Sequence, residues 1–361
     1  MSEGMQQLAG GVVATGVGSW PGTDVREALR VVRGELAGSV PDGVVGLPYL
    51  PELPARGPGA DMIGRAAHLL VDLPVDLQPQ GWRLVDRPGR DHERTASLWR
   101  QDLDELAEAF DGYQGPLKVQ VTGPWTLAAS LWLPLGDRVL SDPGATRDLT
   151  GSLAEGVATH VAAVRRLVPG AQVVAQVDEP MLTAVVLGRV RSESGYRLLR
   201  TPERAELVLA LREVLEGSGA DLTAVHTCAG EPPVELLAQA GPDALSLDLA
   251  QLTGEGWDRV AAAVEAGTAL WAGVLPTTRA DPGPARGGTP RPAGAAAYPT
   301  GAAVLEPLLT RWHELGLERA ALGRVAVTPA CGLAGSTPGD ARATTADTVV
   351  VAARLAEHAR A

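Results

Sequence analysis

The chain has 361 residues, 31 basic against 43 acidic side chains, a formal net charge of −12, and 45% hydrophobic and 20% charged residues. It is too apolar for a disordered polymer and offers no basic surface for nucleic acid. No apolar run approaches the roughly 20 residues that span a bilayer, and Met1-Ser2-Glu3-Gly4-Met5 lacks a basic stretch ahead of an apolar one, so neither membrane association nor a secretory leader is expected.

Two cysteines make no disulfide framework, and a cytoplasmic location is the expectation. Lys118 is the only lysine. Nearly all positive charge is thus arginine, which, together with the excess of Ala, Gly and Pro, reads as coding bias rather than chemistry.

Taken in chain order, short β-prone runs alternate with helical patterns. The runs are Val12 to Val17, Val44 to Leu47, Leu117 to Val121, Gln172 to Val177, Leu222 to Val225, Ala244 to Leu247, Ala269 to Val274 and Arg324 to Val327. Nearly all are apolar throughout, as parallel strands covered on both faces should be. Helices are predicted over Asp24 to Leu36, Pro202 to Glu216, Trp257 to Ala266 and Pro338 to Ala359. Thr201 and Thr337, each followed by Pro, read as helix caps. The long stretch from Tyr49 to Gly115 carries helical patterns over Ala60 to Leu70 and Ala96 to Phe110, an elaborated connection between the second and third strands. Arg279 to Gly301, rich in Pro, Gly and Arg, has no periodicity and reads as a mobile loop. Eight βα units at this length predict one (β/α)8 barrel, the TIM barrel fold, over 1–361, with an open doubly wound sheet as the alternative.

Polar residues follow the strands, where the catalytic face of a barrel lies: Ser19, Asp178, Glu179, His226, Cys228, Asp248 and Cys331. Imidazole, thiolate and carboxylate are groups that zinc accepts. His226 and Cys228, two apart at a strand end, can point to one side. This pattern suggests a Zn2+ site. Two unrelated buried cysteines, or a redox pair, would account for the same residues. Asp178 and Glu179 also read as a helix cap and a solvated acid, and Gly18-Ser19 as a tight turn.

Five segments occur in an order that resembles the catalytic domain of cobalamin-independent methionine synthases. They are Val17-Gly18-Ser19-Trp20-Pro21, Thr122-Gly123-Pro124-Trp125-Thr126, Gln176-Val177-Asp178-Glu179-Pro180, His226-Thr227-Cys228 and Pro329-Ala330-Cys331-Gly332-Leu333. The resemblance runs from about Ala14 to Leu355. It implies a (β/α)8 barrel whose zinc binds the sulfur of homocysteine, with His226, Cys228 and Cys331 as ligands and Asp248 where the family has a glutamate. It further implies that Val17, Gly18 and Ser19 hold the substrate carboxylate, and that Asp178 (with Glu179 beside it) takes the ammonium and is the catalytic acidic group. The activity implied is methionine biosynthesis by methyl transfer to homocysteine or a similar small thiol.

The chain also departs from that family. Full-length members carry a further N-terminal barrel, for which this chain has no room. Their acidic motif between the second and third strands has no match in Asp76 to Arg83, and Val274-Leu275-Pro276-Thr277-Thr278 lacks their histidine after the seventh strand. Their folate-contacting tryptophan has no clean counterpart in Trp125 or Trp132. The methyl donor is therefore open between methyltetrahydrofolate and a methylated corrinoid protein. Two other readings stand beside methyl transfer: a non-catalytic barrel that binds an amino acid or partner, and a metal-free enzyme like the uroporphyrinogen decarboxylases.

Overall fold

The computed structural model describes residues 8, 10–278 and 301–361, so the loop expected over 279–301 lies outside the described residues up to its last position. Strands β1 (Val12–Thr15) and β2 (Val44–Leu47) are followed by a hairpin of β3 (Val75–Gln78) and β4 (Gly81–Leu84). After these come β5 (Gln114–Thr122), β6 (Gly170–Asp178), β7 (Leu222–Thr227), β8 (Ala244–Asp248), β9 (Ala269–Leu275) and β10 (Ala326–Pro329). Without the hairpin, eight strands form one parallel sheet in the order β2-β1-β10-β9-β8-β7-β6-β5. Just past β2, Tyr49 bridges to Lys118 of β5, with Lys118 N donating to Pro48 O at 2.8 Å and Leu50 N to Lys118 O at 3.0 Å. The sheet thereby curls into a nearly closed, TIM-like barrel, and each of the eight predicted runs is one of its strands.

Helix starts follow from local capping chemistry. Asp24, Asp61, Asp142, Thr253 and Thr337 each accept a backbone N–H from the first turn they precede. Thr201 does not: the helix Arg204–Gly217 begins after Glu203, which makes no side-chain cap bond, and the Thr201-Pro202 pair lies ahead of it. The elaborated connection holds helices Met62–Leu69 and Arg90–Ala109, as predicted, and also the β3–β4 hairpin, which was not expected. Its sequence is polar and interrupted by Pro79. The pairing is stabilised from outside, by Trp132 lying against β4 with Leu84 N donating to Trp132 O at 2.8 Å.

Side chains alternate across each strand, and that alternation divides the barrel interior into two zones. At the N-terminal end, Val13, Leu47, Val174, Leu222, Ala224, Ala244, Trp271 and Ala326 form a buried apolar inner cluster. Two residues further along the same strands, the inward positions turn polar: Val174 gives way to Gln176 and Asp178, Ala224 to His226, and Ala244 to Ser246. The apolar plug supports the fold, and the polar layer above it opens at the strand C-termini.

Candidate metal and amino-acid site

The imidazole of His226, on β7, is buried. Its Nδ1 lies 2.9 Å from the hydroxyl of Ser246, its register partner on β8, and its Nε2 has no hydrogen-bond partner. Burial, helped by the nearby Lys118 charge, lowers the imidazole pKa to about 3. The ring is thus neutral at ordinary pH, with one nitrogen engaged and the other free to donate a lone pair. Cys228 follows β7 and Cys331 follows β10. Their Cα atoms are 5.7 Å apart and their sulfurs are in direct contact. One donor atom from each of His226, Cys228 and Cys331 falls within 4.8 Å of the others, the one such group among the described residues. A buried imidazole with one nitrogen unpartnered, gathered with two sulfurs, is a donor set that fits zinc. The same sulfur pair has the Cα spacing of a disulfide.

Asp248 ends β8 but is not among these converging donors. Its carboxylate accepts from Ala250 N at 3.0 Å and Gln251 Nε2 at 3.1 Å, capping a short 3-10 turn.

The loop after β1 is stitched into both halves of the site. Val17 O accepts from Lys118 Nζ at 2.7 Å and Gln176 Nε2 at 2.8 Å. Gly18 lies against Gln120, where a Cβ would come within 2.7 Å of that side chain, so only glycine fits. Ser19 O accepts from Leu333 N at 2.9 Å, and the bare Gly332 next to Cys331 leaves room for the Ser19 hydroxyl.

Asp178 is buried at the end of β6, with Oδ1 accepting from Gln176 Nε2 at 2.7 Å. Burial, then the neighbouring Glu52, raises its pKa to about 8, while Lys118 opposes the rise. Glu52 is itself buried, pairs its backbone with Gly18 and Trp20, and lies 3.5 Å from Arg65. Behind it, Arg65 and Arg56 both pair with the fully buried Asp102. Glu52, Lys118 and Gln176 were not singled out as site residues from sequence. Only the uniqueness of Lys118 is visible there; its two hydrogen bonds give it a place in the site.

Glu179 faces away from the Asp178 side of β6 and is fully buried. Its carboxylate accepts from Trp125 N at 2.9 Å, Thr126 N at 2.8 Å and Thr126 Oγ1 at 2.6 Å, closing the start of the helix Pro124–Ala128. Burial still raises it to about 7 against those three donors. Trp125 is likewise core, its indole donating to Leu207 O at 2.9 Å.

Comparison with known families gives a match to the profile described as cobalamin-independent synthase, catalytic domain, over residues 12–282. No curated protein matches. Among solved structures, a B12-independent methionine synthase from Shewanella sp. W3-18-1 in complex with selenomethionine is similar at 14% identity, with a TM-score of 0.46. That alignment covers 71% of this chain and 66% of the other, so the chain spans just under two thirds of that synthase. Among the described residues, no helix is long and apolar enough to cross a membrane.

Proposed function

Since this chain belongs to the family of cobalamin-independent methionine synthase catalytic domains, we propose that it is a zinc-dependent methyltransferase that moves a methyl group to a thiol, homocysteine, to give methionine. The observation that carries this reading is the convergence of His226, Cys228 and Cys331, whose donor atoms lie within 4.8 Å of one another, on a histidine whose buried Nε2 has no hydrogen-bond partner.

In this reading His226, Cys228 and Cys331 hold the ion, and Asp248 stands at the mouth as a candidate fourth protein ligand. A zinc ion held there would supply Lewis-acid activation of a thiol whose ordinary pKa is about 8.5. The remaining work falls to the chain itself. Ser246 fixes the His226 ring so that Nε2 is the donor. Asp178 takes the substrate ammonium, and the Val17–Ser19 backbone takes its carboxylate. Held at its polar end, the amino acid presents its sulfur at the Cys228–Cys331 side, an orientation that contributes to rate by proximity. The donor is methyltetrahydrofolate or a methylated corrinoid protein.

The test is metal content of the purified chain, followed by methyl transfer to homocysteine with each donor supplied in turn. The wild type should hold a full equivalent of zinc and Cys331→Ser should lose it; equal zinc in both sinks the site.

A second reading, a dithiol–disulfide pair, is favoured by the 5.7 Å Cα spacing of Cys228 and Cys331. Counting thiols in denaturant with a chelator separates the two. Two reactive thiols support the metal site, and none supports the disulfide.

A further inference from the structure

Lys118 is the one lysine in a chain whose other basic side chains are all arginine, and it is 0% exposed within the barrel. A buried ammonium is costly unless its donors and charge are matched. Here they are. Nζ donates to Val17 O and to Gln176 Oε1, both at 2.7 Å, and lies 5.2 Å from the centre of the Tyr49 ring. The Gln176 amide then divides its own donors between Val17 O at 2.8 Å and Asp178 Oδ1 at 2.7 Å.

These bonds close a loop. One ammonium and one amide join the turn after β1 to the acid at the end of β6, across the barrel interior. A compact ammonium with diverging donors suits this junction, whereas a flat guanidinium fork does not. Lys118 acts through Gln176 and Val17.

We infer that Lys118 is a positioning residue that fixes Asp178 and the Val17–Ser19 turn at the spacing of an α-amino acid, and so makes the site select an amino-acid thiol over the same thiol without its ammonium. This rests on the methyltransferase reading above.

The experiment uses the full chain loaded with Co2+, whose thiolate charge-transfer band reports thiol binding directly. The probes are L-homocysteine and 4-mercaptobutanoate, which lacks only the amino group. The unsubstituted protein should prefer homocysteine by about tenfold or more, the worth of one charge-assisted hydrogen bond. In Lys118→Met the preference should fall to about twofold or less, with affinity for 4-mercaptobutanoate nearly unchanged. Gln176→Met breaks the same junction while keeping the lysine, and should collapse the preference alike; it carries the test if Lys118→Met does not fold. An undiminished preference in the folded variants overturns the inference alone. Absence of any thiol-dependent band in the unsubstituted protein overturns the reading beneath it, and the inference with it.

Discussion

His226 and Ser246 face one another in register across the β7–β8 ladder, with Nδ1 2.9 Å from Oγ. The relationship decides which ring nitrogen is left for a metal. Hydrogen-bonded at Nδ1, the buried ring keeps Nε2 without a partner. Partners of this kind orient a metal-binding histidine and raise its donor strength. Ser246→Ala should therefore weaken zinc binding by about 10- to 100-fold while the barrel stays folded. Competition against a chromophoric chelator measures this, and an unchanged affinity would remove Ser246 from the site.

Glu179 answers a question that Asp178-Glu179 poses in the sequence, namely which acid belongs to the mouth. Successive residues of a strand point to opposite faces, and the three donors on Glu179 show that it holds the Trp125-Thr126 turn. A buried carboxylate that satisfies two backbone N–H groups and a hydroxyl cannot be swapped cheaply. Glu179→Gln turns one acceptor oxygen into a donor facing other donors, and should cost about 2–4 kcal/mol of stability. Urea unfolding reads the loss; a change below about 0.5 kcal/mol would mean the turn is held by something else.

The barrel was legible because its strands are short, apolar and separated by capped helices. Every one of those signals is local. The cysteine and histidine cluster was legible as residue types at strand ends, since a barrel gathers such ends at one mouth. What the sequence could not display was partnership. Glu52 sits in a Pro-rich segment with no pattern of its own, and its importance comes from Arg65 on the next α-helix and from Asp102 and Asp178, which are far from it in the chain. The single lysine stood out in composition, yet only its two 2.7 Å bonds give it a task. The β3–β4 hairpin was hidden for a similar reason, because Trp132, some fifty residues downstream of β4, completes its pairing.

His160 shows how a histidine outside the site should govern acid stability. It is 3% exposed on the helix Pro143–Leu167, its ring 4.7 Å from that of Trp99 and its Nδ1 without a partner. Arg65 stacks on the same indole at 4.5 Å, and the His68 ring, packed against His92, lies 6.1 Å from it. Burial, and then the Arg65 charge, lowers His160 to about 3, and burial lowers His68 to about 4. The unfolded chain takes up these protons near pH 6.5. Between those values it binds more protons than the folded chain, so the neutral rings' contribution is intact above pH 6.5 and drains away as pH falls. For His160 the loss between pH 7 and pH 5 is about 2 kcal/mol. Glu179 and Asp178, raised to about 7 and about 8, act with the opposite sign over the same range, since the folded chain holds their protons longer. The wild-type pH slope is thus a sum of opposed parts, and only a difference isolates the histidine. His160→Phe keeps a ring against Trp99 and removes the titration. On going from pH 7 to pH 5 its unfolding free energy should shift about 2 kcal/mol more favourably than that of the wild type, read from urea midpoints at each pH. Parallel slopes in the two proteins would mean that the His160 proton is not what acid exploits.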